Sequence, residues 1–166
     1  AYNPRSTVGT VTEIYDHLRV LYARISHAFC PNCGDPIESL STQQIVDSIL
    51  TMAEGTKLMI LSPIASEKKG EFQQELLALR QKGFTRARID GAIKDLADPI
   101  KLEKNYKHTI EVVIDRIILK KKDPATQARL YESIDLALRL SKGIINLVTY
   151  ITDTKTQEQF MSQNFA

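Results

Sequence analysis

Apolar residues recur along this chain at two spacings, one near 3.6 and one of 2, and the switch between them divides it into elements. Val11, Ile14, Tyr15, Leu18, Leu21, Tyr22 and Ile25 follow at helical spacing. Thr10 and Glu13 stand ahead of them as a capping box, in which hydroxyl and carboxylate each satisfy an orphan amide. The stripe is wider than a lone surface helix needs, so part of it is expected to stay exposed. Pro36 marks a break. Beyond it Ser41 and Gln44 predict a second capped helix, with Ile45, Val46, Ile49 and Leu50 inward and Gly55 as its stop. Lys57 to Leu61 predicts a buried strand closed by Ser62-Pro63, and Lys68-Lys69-Gly70 a loop. Glu71 to Lys82 predicts a helix burying Phe72, Leu76 and Leu79 and stopped by Gly83.

Phe84 to Leu96 alternates as a β-hairpin around Asp90-Gly91, the dipeptide suited to a type I′ turn because both central residues need positive φ. Thr85, Ala87 and Ile89 fall on one side of its first strand, and Phe84, Arg86 and Arg88 on the other. Asp98 to Tyr106 reads as a polar linker. His108 to Leu119 is the clearest strand, with Ile110, Val112 and Ile114 against Thr109, Glu111 and Val113. Its alternation breaks at Asp115-Arg116, where a bulge is expected. Asp123-Pro124 opens a long helix carrying Leu130, Ile134, Ala137 and Leu138 to Gly143. Ile144 to Ile151 reads as a strand, and Phe160 to Phe165 as a further extended piece. The elements alternate without a strict βαβ rhythm, which predicts an α+β fold: a mixed sheet with packed helices, preceded by the N-terminal helix.

Composition narrows the function classes. The 166 residues are 43% hydrophobic and 25% charged, ordinary for a globular domain. A formal net charge of +2 is too small for a dedicated nucleic-acid binder. Its longest apolar runs are far short of the ~20 residues that cross a bilayer, and no secretory signal pattern opens the chain. A soluble intracellular protein without membrane contact is expected. Catalytic constellations are missing: there is no GxxxxGK[ST], GxSxG or HExxH pattern, and the carboxylates are scattered over helix faces.

Cys30-Pro31-Asn32-Cys33-Gly34 has the shape of a zinc knuckle, because the turn aims two thiolates at one point. Structural zinc takes four ligands, and the remaining candidates are His17, His27 and His108. His27 is a candidate third ligand, whereas His17 falls mid-helix and His108 opens a strand. A disulfide between Cys30 and Cys33 is the alternative, and a redox motif a weaker one. Half a site, together with a start at Ala1, predicts a piece of a larger protein. Among polar features, Arg86, Arg88 and Asp90 on the hairpin and Asp115-Arg116 on the long strand are the candidate anchors. A guanidinium on a rigid strand pairs bidentately with carboxylates; the simpler alternative is a solvated sheet face. Lys120-Lys121-Lys122 is cheapest as an exposed loop.

Several blocks together carry a resemblance. Asn3-Pro4-Arg5-Ser6-Thr7-Val8-Gly9-Thr10-Val11-Thr12-Glu13-Ile14-Tyr15-Asp16, the Cys30 to Cys33 knuckle, Arg86-Ala87-Arg88-Ile89-Asp90-Gly91, His108 to Arg116 and Ser162-Gln163-Asn164-Phe165-Ala166 resemble the UvrA family, the damage-recognition ATPases of bacterial nucleotide excision repair. The resemblance runs from end to end. It implies that residues 1–27 are a helix of an ATP-binding-cassette lobe and 28–37 half of a zinc module. Residues 38–153 would be the inserted domain that binds UvrB, and 154–166 a segment returning towards the second zinc knuckle. It also implies that the Zn²⁺ site of Cys30 and Cys33 is completed by a knuckle following Ala166, that no nucleotide is bound here, and that the whole protein is a cytoplasmic homodimer reaching DNA through its other parts. Arg86 and Arg116 are the implied UvrB anchors, with Arg88, Asp90 and Asp115 beside them. A DNA-contacting module, suggested by Lys68-Lys69 and Lys120 to Lys122, is the alternative function.

Overall fold

The computed structural model describes residues 12–25, 28–29, 36–37, 40–152 and 155–163, with 23–25, 28–29 and 36–37 described by backbone alone. The chain divides into two units, Ala1–Glu38 and Ser39–Ala166.

In the first unit, α1 (Ile14–Ile25) carries exposed Ile14, Tyr15, Leu18, Leu21 and Tyr22. Two-residue strands β1 (Ala28–Phe29) and β2 (Pro36–Ile37) pair antiparallel, Ala28 with Ile37 and Phe29 with Pro36. Thr10 of the expected capping box, and Cys30 and Cys33, lie outside the described residues.

The second unit opens with α2 (Thr42–Leu50), where the Ser41 hydroxyl accepts from the Gln44 amide and the Gln44 side chain accepts from the Ser41 amide. Then follow β3 (Lys57–Lys69), α3 (Gln73–Gln81), β4 (Arg86–Ile89), β5 (Ala92–Asp95), β6 (Lys107–Ile118), α4 (Pro124–Ser141), β7 (Ile144–Tyr150) and β8 (Thr156–Ser162). These six strands form one sheet in the order β5-β4-β6-β3-β7-β8, antiparallel in each pairing. The α+β class expected from the pattern holds.

Three local expectations are corrected. Strand β3 does not stop at Ser62-Pro63 but runs to Lys69 along β6, absorbing Lys68-Lys69. Past Leu61 its other side has no partner in β7, so Pro63 lies where the sheet has, among the described residues, a free edge and a register shift, both of which tolerate a residue without an amide hydrogen. Helix α3 starts at Gln73, after Phe72 takes a left-handed φ of 50°. The last extended piece is Thr156–Ser162, not Phe160 to Phe165, because its pairing with β7 runs from Thr156 opposite Tyr150 to Ser162 opposite Ile144.

One face of the sheet carries the helices. Ile45, Val46 and Ile49 of α2 and Leu130, Ile134, Ala137 and Leu138 of α4 pack on Leu58, Ile60, Ile117, Ile145 and Leu147. Leu76 and Leu79 of α3 pack farther along, on Ala87, Ile89, Ile110 and Val112. On the opposite face Met59, Leu61 and Val148 form a third buried cluster with Val113 and Tyr150, to which no helix contributes among the described residues.

Candidate protein-docking face

Which residues reach that opposite face is decided by one bulge. Leu61 pairs with Val113, but Ile60 pairs with Asp115, so β6 holds one extra residue, Ile114. Before the bulge the even positions Ile110 and Val112 face the helices, and after it the odd positions Ile117 and Leu119 do. Asp115 therefore turns towards α4. Its carboxylate accepts from Arg129 Nε and Nη2, each at 2.7 Å, and from Ser133 Oγ at 3.0 Å. Burial pushes the Asp115 carboxyl up, but the hydrogen bond from Arg129 and those from the Arg116 amide and Ser133 hold it below the usual carboxylate range. Arg116 is thrown onto the opposite face, across from Met59. The sequence break at Asp115-Arg116 thus marks the bulge one residue late.

Arg86 and Arg88 reach the same face from β4. Arg88 stands opposite Glu111, and Arg86 is two residues away. The hairpin places them there because Asp90 and Gly91 take φ of 50° and 83°, which closes the two-residue turn the Asp-Gly pair favours.

The five expected anchors then separate into two groups. Arg86 and Arg116 are exposed, and their guanidinium groups have no hydrogen-bond or ion-pair partner among the described residues. Arg88, Asp90 and Asp115 are engaged inside the fold. Asp90 Oδ1 accepts from the Thr109 amide at 2.8 Å and Oδ2 meets His108 Nδ1 at 2.7 Å. His108 Nε2 meets the Glu103 carbonyl oxygen at 3.0 Å. Both partners offer acceptor oxygens, so the geometry favours the ring with a proton on each nitrogen. The Asp90 hydrogen bond, helped by Glu103, accordingly raises the His108 pKa above its ordinary value. Burial pushes the Asp90 carboxyl up, and the bonds from His108 and Thr109 more than offset that, leaving it depressed.

Around Arg116 the surface is concave. A cleft of about 430 Å³ is lined by Arg116, Ile118, Lys120, Thr126 and Arg129 among others. Ile118 and Phe160, both exposed, share the face with the two free guanidinium groups. The arrangement suits a partner that brings carboxylates and apolar side chains together, the usual make-up of an anchored interface.

Sequence reasoning missed four residues: Glu111 and Glu158, which hold Arg88, Asn146, which ties those two carboxylates together, and His108, which holds Asp90. Only Asn146 left a readable signal, as a polar residue inside the apolar run of β7.

The family model described as the UvrA interaction domain matches residues 41–150. UvrABC system protein A of Escherichia coli strain K12 is 49% identical over 166 residues, 100% of this chain and 17% of that protein. The protein of the same name from Methanothermobacter thermautotrophicus is 44% identical over 164 residues, 99% of this chain and 17% of its own. That from Lactiplantibacillus plantarum is 52% identical over 141 residues, 85% of this chain and 14% of its own. The chain spans 14–17% of the length of these relatives.

Proposed function

The chain belongs to the UvrA interaction domain family, and on that premise we propose that it is the UvrB-docking module of a bacterial nucleotide-excision-repair protein, with no chemistry of its own. The observation that carries this reading is the pair of guanidinium groups, Arg86 and Arg116, left unpartnered among the described residues on one sheet face beside exposed Ile118 and Phe160. Their charged neighbours Arg88, Asp90 and Asp115 are all engaged in internal bonds, so of the five expected anchors these two remain to meet an acidic partner. Arginine suits the task because its fork pairs with a carboxylate through two parallel bonds. The larger protein's ATP turnover, its DNA contacts, its dimer and its cytoplasmic setting belong to the same reading and lie in its other parts. So does a zinc site in which Cys30 and Cys33 supply two of four ligands.

Calorimetric titration of UvrB into this chain tests it. Arg86→Glu and Arg116→Glu are each expected to cost ~2–5 kcal/mol of binding, because reversal leaves a partner carboxylate buried and unpaired. Thermal unfolding should barely move, since neither guanidinium is bonded to another described residue. Near wild-type affinity in both variants would end the assignment. The competing DNA-contacting reading predicts instead an affinity for duplex DNA that falls steeply with salt.

A further inference from the structure

Strands β4 and β8 are separated in the sheet by β6, β3 and β7. At a spacing of ~4.8 Å per step, a flat sheet would hold them ~19 Å apart, beyond what an arginine and a glutamate span together. Yet Arg88 of β4 grips Glu158 of β8 with both ends of its fork, Nη1 to Oε1 at 2.6 Å and Nη2 to Oε2 at 2.9 Å. The sheet must therefore coil towards this face until its outer strands approach. Register shifts between β3 and β6 after Ile60, Pro63 and Ala65 supply the bends.

The contact is part of a closed network. Arg88 Nε donates to Glu111 Oε2 at 2.6 Å. Asn146 Nδ2 donates to Glu111 Oε1 at 2.8 Å and to Glu158 Oε2 at 2.9 Å, tying the two carboxylates together. Glu111 is 3% exposed and Asn146 0%, although no described helix side chain joins the apolar cluster beside them. Among the described residues, the coil of the sheet accounts for that burial. Glu158 holds the Arg88 pKa well above its ordinary value, and Arg88 in turn holds the Glu158 carboxyl below its own. Such bidentate charge-assisted pairs fix geometry as well as adding energy.

We propose that Arg88 is a positioning residue, clamping β4 to β8 through Glu158 and Glu111, and so setting where Arg86, on the same strand, stands relative to Arg116. It acts on the docking face through the sheet and does not itself touch the partner. The positional claim rests on the docking reading above; the clamp does not.

Two measurements on Arg88→Gln, Glu158→Gln and the double variant separate them. Amide hydrogen exchange on the chain alone should rise about tenfold in β4, β5 and β8 for either single variant, and no further in the double, as expected for two ends of one contact. Calorimetry with UvrB should show each single variant weakened by a similar factor, again about tenfold and again non-additive, against the near-complete loss in Arg86→Glu. If Arg88 touched the partner directly, Arg88→Gln would weaken docking while Glu158→Gln, which releases the guanidinium from Glu158 alone, would not. That result, or unchanged exchange in both variants, overturns the proposal. Should wild-type chain ignore UvrB, the docking reading fails and the exchange data still decide the clamp. Should Arg88→Gln fail to fold, Glu158→Gln decides alone, since it keeps side-chain shape and leaves Arg88 its Glu111 partner.

Discussion

The two faces of the six-stranded sheet are built from the same strands but solve burial differently. The helix-covered face is closed by separate elements: α2, α3 and α4 lay Ile, Leu, Val and Ala side chains on Leu58, Ile60, Ile89, Ile110 and Leu147. Among the described residues the opposite face is closed by the sheet's own coil, over buried Met59, Leu61 and Val148 and a polar network of buried Glu111 and Asn146 with half-buried Arg88. Separate elements can cover an apolar surface completely. A coil covers only its middle, so its rim keeps exposed arginines and apolar side chains. A face closed by helices is a core, and one closed by curvature is a core with a usable margin.

The harshest way to break this comparison is to insert one alanine between Asp115 and Arg116. A one-residue slip beyond the bulge would take Ile117 and Leu119 out of the helix-covered core and turn Arg116 into it. A loss of at least ~3 kcal/mol is expected from the two displaced side chains, measured by urea unfolding, together with loss of UvrB binding. An insertion variant of wild-type stability would show that register beyond the bulge does not set the faces.

A milder contrast sharpens it. Ile60→Ala, beneath α4, should cost ~2–5 kcal/mol through the cavity it leaves. Phe160→Ala on the opposite face, where the residue is 63% exposed, should stay within about 0.5 kcal/mol while weakening docking. Equal destabilisation by the two would mean that the rim is packed after all.

The smallest effect concerns the hairpin that presents Arg86. His108 has a raised pKa, so the stability it lends is complete below its unfolded value near 6.5 and is lost as pH climbs through the higher folded value. Asp90 has a depressed pKa, so its share is present above ~3.8 and fades as pH falls through the lower folded value. The turn should be firmest between those limits. His108→Gln should flatten the alkaline side of a melting-temperature profile, and a His108 resonance titrating below 6.5 would contradict the bonded geometry.

Much of this was legible from residues near one another in sequence. The Ser41 capping box, the Asp90-Gly91 turn and the apolar stripes of α2 and α4 depend on neighbours within a few positions, and local rules capture them. The resemblance singled out Arg86 and Arg116, which the structure leaves exposed, and the pattern placed a bulge within a residue of its true position. Pro63 misled because a proline ends a strand only where its missing amide hydrogen is needed, and whether a neighbour needs it is not a local property.

The tertiary structure alone decided which charges are free. Arg86 and Arg88 differ by two positions and share a strand, a face and a residue type. One is exposed and the other is held by Glu111, 23 residues away, and Glu158, 70 residues away. Local patterns determine which way a side chain points, because backbone periodicity is set residue by residue. What it meets there depends on how far the sheet coils, and that is a property of all six strands at once.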